Sequence, residues 1–236
     1  MADVFSPLVN EVVRTKRTDL PARAAKVQAV MIHTTGSGLI ANALKAGKDV
    51  LAYYAAYYAR ADAYASGSVV GWEGKVVGTV PDNLIAYHAG VSKTYRAIYA
   101  KGTAVWRRHV LENGKLVDKG VPQPHYEDWL ARWPTLKSPL DLLTGPGVNS
   151  VTIGLDLLAP VAGAQHGETQ LQKMAALIRE IAGRQGIVVK KETVLRHSDI
   201  DPFSRSTSRG GWDPPRSAFE RLCTILGFDA WPRNVS

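Results

Sequence analysis

Apolar residues along this chain gather alternately into short runs and helical stripes, and each grouping predicts an element. Val27 to His33 is a short apolar run with β-branched residues, the pattern of a buried strand. From about Leu39 to Tyr64 alanine and tyrosine dominate and predict a helix, with Gly47 as a candidate interruption. Tyr53, Tyr54, Tyr57 and Tyr58 recur there at helical spacing, which favours core packing over a binding face. Ser68 to Val80 reads as a β-hairpin turning at Glu73-Gly74. Val151 to Leu158 is almost wholly apolar, as expected of a central strand covered on both faces.

The pattern then becomes helical. Thr169 and Gln172 form a capping-box pair, and Leu171, Met174, Ala175, Ile178 and Ile181 line one face up to a stop at Gly186. Val188 to His197 returns as a strand, and Pro215 opens a last helix that ends near Gly227. Residues 1–25 are mixed and are expected to wrap the surface. Strands and helices alternate, so the fold class is α/β: a mixed central β-sheet flanked by helices. One domain is expected over 1–236, with its core at about 27–227. Between Gly90 and Asn149 the pattern weakens, and 91–148 reads as an insertion.

Charge narrows the partners. The net charge of +8 favours an anionic one: nucleic acid, a membrane surface or an acidic polymer such as bacterial cell wall. Nucleic acid is not expected, because no basic stripe interleaved with aromatics accompanies the charge. A single cysteine, Cys223, excludes an intramolecular disulfide and a cysteine-rich zinc site. It falls in an apolar helical pattern and is expected to be buried and inert. The amino terminus lacks a secretory signal pattern and no long apolar span is present, so synthesis in the cytoplasm is expected.

Candidate chemistry sits at strand ends. His33 and His197 each close an apolar run, and two strand-end histidines suggest a shared site. Asp199, Asp201 and Asp213 are rival carboxylates for a third ligand, and spacing alone does not choose among them. The bland role for Asp213 is a helix cap before Pro214 and Pro215. Two imidazoles and a carboxylate suit zinc, with the fourth position open to water. Asp156 lies inside an apolar strand, where an unpaired carboxylate costs several kcal/mol. It is a candidate general base with a raised pKa; the bland alternative is a carboxylate buried against an arginine or a backbone amide.

Five patches carry a resemblance: Ile32-His33-Thr34-Thr35, Tyr87-His88-Ala89-Gly90, Asn149 to Asp156, His197-Ser198-Asp199-Ile200 and Asp213-Pro214. In this order the chain resembles the zinc-dependent N-acetylmuramoyl-L-alanine amidases of the type-2 family, which share their fold with peptidoglycan recognition proteins. The resemblance implies hydrolysis of the amide joining N-acetylmuramic acid to L-alanine. It implies His33, His197 and Asp213 as zinc ligands, Asp156 as the catalytic carboxylate and His88 as a substrate-facing residue of the groove. Peptidoglycan or muropeptides would be the partner, and a monomer is expected. A phage or prophage lysin, released through a holin-made pore or carried in a virion, is the leading role. A cytoplasmic muropeptide-recycling amidase and a catalytically inactive peptidoglycan-binding module are the alternatives.

Four departures accompany the resemblance. Asp156 stands where the family usually has glutamate. Ser66 stands where another branch has a catalytic tyrosine, with Tyr64 only loosely placed to substitute. Gly211 stands where many members have lysine, and Arg205, Arg209 or Arg216 are candidates to supply that charge. The connection from His197 to Asp213 and the 91–148 segment are both longer than usual in the family.

Overall fold

The computed structural model describes residues 2–35, 37–63, 66–89, 147–159, 165–200 and 214–230, together with the backbone of two strands at 109–112 and 115–118. The elements are β1 (Glu11–Val12), β2 (Ala29–Thr34), α1 (Ser37–Lys45), α2 (Val50–Tyr58), β3 (Ser68–Val70), β4 (Val76–Gly78), β5 (His109–Glu112) and β6 (Lys115–Asp118). They continue with α3 (Val148–Val151), β7 (Thr152–Leu157), α4 (Glu168–Gln185), β8 (Val194–Arg196), α5 (His197–Ile200) and α6 (Arg216–Leu226).

Six strands form one sheet in the order β1-β4-β3-β7-β2-β8. The β3–β4 hairpin is antiparallel and every other pairing is parallel, so the sheet is mixed, as the alternation of elements predicts. The parallel centre runs β3-β7-β2-β8, with β2 and β7 paired along all six residues. Separately, β5 and β6 pair antiparallel. In the sequence Asn113-Gly114 lies between them, a dipeptide that favours two-residue hairpins and that the pattern reading passed over.

Side chains alternate across the sheet, and this alternation builds two unlike faces. On one face Val30, Ile32, Val70, Ile153, Leu155, Leu157 and Val194 meet the stripe of α4 and, from α6, Phe219, Leu222 and Cys223. That is the principal core. On the other, Val69 and Val77 are covered by α1 and α2 through Ile40, Ala43, Leu51, Tyr54 and Ala55. Farther along that second face a smaller cluster joins Ala29, Met31 and Leu195 to Ala89, Val148 and Ile200.

Several expectations are sharpened. The helix expected over 39–64 is two helices. Gly47 adopts φ +61° between them, a conformation that disfavours side chains, and Asp49 then caps α2 by accepting from the Ala52 amide at 2.7 Å. Gly74 supplies the same freedom (φ +80°) in the hairpin turn. The helices α4 and α6 end at Gly186 and Gly227, as read from the sequence. The tyrosines divide: Tyr54 is buried, Tyr53 and Tyr58 are partly so, and Tyr57 is exposed.

Other expectations are corrected. No capping box forms at Thr169–Gln172: α4 begins one residue earlier, after Gly167, and Gln172 Nε2 instead donates to Glu168 Oε1 at 2.8 Å, one turn back. The strand expected over 188–197 is only Val194–Arg196. Before it, the Thr193 hydroxyl donates to Val188 O (2.6 Å) and folds the chain into a turn. After it, Asp199 reaches back to the Arg196 amide at 2.7 Å and starts a helical turn, so His197 opens α5 rather than ending a strand. The amino-terminal segment does more than wrap the surface, because Glu11–Val12 adds a parallel strand beside β4. Of the segment 91–148, only the backbone of β5 and β6 and the residues from 147 onward are described.

Candidate active site

Three neighbouring parallel strands, β7, β2 and β8, end side by side. Register places His33 beside Asp156, two steps beyond the pair Met31 and Gly154, so both side chains project from the second face. His197 follows directly on β8, whose Leu195 pairs with Met31. The sheet order thus turns three residues far apart in sequence into one row: Asp156, His33, His197. Carboxyl ends of parallel strands are where open α/β sheets present their ligand sites. All three residues are buried, with His197 fully so.

The rings of His33 and His197 lie edge to face with centroids 5.3 Å apart. His88 closes the other side of His33, its centroid also 5.3 Å away and its Nδ1 3.1 Å from His33 Nε2. The second His88 nitrogen, Nε2, faces the Thr152 hydroxyl oxygen at 3.2 Å and the Thr152 carbonyl at 3.4 Å. Gly154 makes room for this ring, since a Cβ there would stand 2.4 Å from His88 Cγ. Burial and the nearby His197 and Arg23 push the His88 imidazole down to about 3, against the Thr152 carbonyl that raises it, so the ring is neutral at physiological pH.

Asp156 is flanked by α2. Burial pushes the Tyr54 phenol up to about 12 and the Tyr58 phenol well above its ordinary value, and the Asp156 carboxylate adds to both. Both phenols therefore stay protonated. Ser66, the residue standing where a tyrosine occurs in another branch, is buried just before β3, and its carbonyl accepts from the Thr79 hydroxyl at 2.5 Å. Tyr64, Asp201, Arg205, Arg209, Gly211 and Asp213 lie outside the described residues. Arg216 is described: its Nε donates to Glu220 Oε1 at 2.6 Å on an exposed helix face.

Asp199 does not join the row. Its carboxylate binds the Arg196 amide and guanidinium (2.7 and 3.2 Å), and Arg196 lies over the Phe219 ring at 4.4 Å. This buried ion pair belongs to the opposite face of the sheet. Among the described residues, no group of three His, Cys, Asp or Glu side chains is disposed to hold a metal ion. The two adjacent buried imidazoles of His33 and His197 are nonetheless nitrogen donors of the kind zinc takes, and a carboxylate from outside the described residues could complete the set. Cys223, buried in the principal core, offers no thiolate there; burial pushes its thiol up to about 12.

Several supporting residues escaped the sequence reading. Gln170, fully buried, donates from Nε2 to Val70 O and Leu158 O, both at 2.9 Å, tying the ends of β3 and β7 to α4. The Arg23 guanidinium donates to the carbonyls of Asp82, Leu84, Asn149 and Ser150. Gly154 had a readable signal, since glycine inside an apolar strand often marks the close approach of another group.

The chain thus has a mixed six-stranded sheet flanked by helices, with two imidazoles and a carboxylate at the carboxyl ends of its parallel strands. The sequence pattern of the family Amidase_2, N-acetylmuramoyl-L-alanine amidase, matches residues 23–211, most of the chain, and the chain belongs to that family. The match stops two residues before Asp213. No curated protein matches the chain. Solved structures with a similar fold include the endolysin N-acetylmuramoyl-L-alanine amidase LysCS from Clostridium intestinale (13% identity, 94% of this chain and 98% of that chain, TM-score 0.45). AmpD from Citrobacter freundii is another (14% identity, 96% and 95%, TM-score 0.45). These likenesses are distant, and the family assignment rests on the sequence match.

Proposed function

We propose that this protein is a zinc-dependent N-acetylmuramoyl-L-alanine amidase that cuts the amide between the lactyl group of N-acetylmuramic acid and L-alanine in peptidoglycan. The observation that supports it most is the row of Asp156, His33 and His197 across three adjacent parallel strands, in a chain of the amidase family. His33 and His197 would hold the metal, with Asp213 as the carboxylate ligand. Bound there, zinc would supply Lewis acidity to the scissile carbonyl and to the attacking water.

The remaining work falls to the chain. Asp156, at the end of a buried strand, would take the proton of the attacking water and return it to the departing amine of L-alanine. Aspartate is one methylene shorter than glutamate, so the rigid strand must bring its carboxylate closer to the reacting atoms. Tyr54 and Tyr58 pack α2 near this carboxylate and keep neutral neighbours around it. The net charge of +8 suits a polymeric anionic wall, which supports the role of a lysin over that of an enzyme for small soluble muropeptides.

Digestion of purified cell walls by the zinc-loaded protein tests the reading. New L-alanine amino termini without new reducing sugar ends are expected; their absence in a protein that holds zinc would leave a binding module. Faster cleavage of whole walls than of soluble muropeptides is expected of a lysin, and the reverse would point to recycling. Asp213→Ala is expected to strip the metal, as read by metal analysis; retained zinc would remove Asp213 from the ligand set.

A further inference from the structure

We infer that His88 is a positioning residue: with Thr152 it fixes the proton of His33 on Nε2 and so leaves Nδ1 as the nitrogen that ligates metal. The Thr152 hydroxyl has only one way to place its proton. Val148 O is an acceptor, and the Thr152 hydroxyl oxygen lies 2.7 Å from it, so the hydroxyl proton lies on that bond. Thr152 Oγ1 then has only lone pairs to offer His88 Nε2 at 3.2 Å, and the Thr152 carbonyl offers the same at 3.4 Å. Two acceptors facing one ring nitrogen require that nitrogen to carry the hydrogen. A neutral imidazole has one N–H, so His88 Nδ1 is an acceptor. His33 Nε2, 3.1 Å away, must donate to it.

The opposite assignment fails at both ends. With the hydrogen on His88 Nδ1, its Nε2 lone pair would face two oxygen lone pairs inside the protein, an arrangement that costs far more than a hydrogen bond returns. Gly154 lets the ring sit within reach of both Thr152 and His33, because the backbone below it has no side chain and the ring occupies that space. Both nitrogens of His88 are engaged within the protein. Its part is therefore to orient His33, in place of the substrate contact that the resemblance implies for it. A metal-bound imidazole whose other nitrogen donates to a fixed acceptor is also a more basic and better oriented ligand.

This inference rests on His33 being a metal ligand, and its test separates the two claims. In metal-free protein at neutral pH, long-range nitrogen–proton NMR of the histidine rings is expected to report His33 and His88 both protonated on Nε2. A His33 protonated on Nδ1 would overturn the inference whatever the metal does. Zinc affinity by chelator competition supplies the second arm. His88→Leu is expected to weaken zinc by about 10–100-fold. His88→Gln, which keeps an acceptor towards His33 and a donor towards Thr152, is expected to restore most of it. Equal affinity in wild type and His88→Leu would overturn the positioning role. If His88→Leu does not fold, Gly154→Ala, which displaces the ring without removing it, is expected to show the same weakening. Zinc bound undiminished by His33→Ala would instead defeat the ligand assignment itself.

Discussion

The two faces of the central sheet are made by the same strands and could hardly differ more. In β7, Ile153, Leu155 and Leu157 enter the principal core, while Thr152, Gly154 and Asp156 face the histidines. In β2, Val30 and Ile32 go to the core, and His33 goes to the site. One face is apolar throughout and close-packed against α4 and α6; the other is apolar under α1 and α2 but carries, at the carboxyl ends of its central strands, a chain of hydrogen-bonded polar groups. Rigidity for the site is supplied from behind. His33 and Asp156 each sit one residue away from a core side chain on the same strand, and His197 follows directly on β8, so moving any of them requires moving the core.

The largest effect is expected where chemistry is removed without touching packing. His197→Ala or His33→Ala is expected to lower wall-cleaving activity on the order of 10³-fold or more, with thermal unfolding close to wild type. A comparable loss of Tm would show that the histidines belong to the packing. Next in size comes Asp199→Ala, which leaves Arg196 charged and buried over Phe219. Denaturant titration is expected to show a loss of about 3–5 kcal/mol, while zinc content of the folded protein is unchanged. Loss of zinc at native stability would instead place Asp199 among the ligands.

Leu155→Ala, on the core face of the strand that carries Asp156, is expected to cost about 2–5 kcal/mol. Activity per folded molecule is expected to change little; a large drop would mean that the strand shifts and carries Asp156 with it. The smallest effect concerns Cys223. Its thiol gives up a proton near 9 when unfolded and near about 12 when folded, so its contribution is intact below 9 and fades as pH rises towards 12. Alkylation at pH 8 is accordingly expected only after unfolding, as mass spectrometry with and without denaturant would read. Labelling of native protein would place Cys223 outside the sealed core.

Much of this was legible in the sequence. The apolar runs give the central strands, and glycines at 47, 74, 186 and 227 mark turns and helix ends. His33, His197 and Asp156 stand out because polar groups interrupt or close apolar runs. Their order across the sheet does not, because β7, β2 and β8 become neighbours only through pairing between distant segments. The misreading of His197 as a strand end has a local cause: the back-reaching carboxylate of Asp199 bends the chain one residue before apolarity declines. His88 is the clearest gap. A motif resemblance names the residue, but only the 2.7 Å contact between Thr152 and Val148, two links away, says which of its nitrogens holds the proton.

The fan of bonds from Arg23 has a consequence for how this chain can change over time. Arg23 clasps the carbonyls of Asp82 and Leu84 on one side and of Asn149 and Ser150 on the other, and the Asn149 side chain accepts from the Ala89 amide at 2.7 Å. The chain that leaves after Ala89 therefore returns to the spot it left. The entropy of closing such an excursion grows only with the logarithm of its length. Residues 90–146 can therefore be lengthened, shortened or exchanged at small entropic penalty while the sheet stays the same.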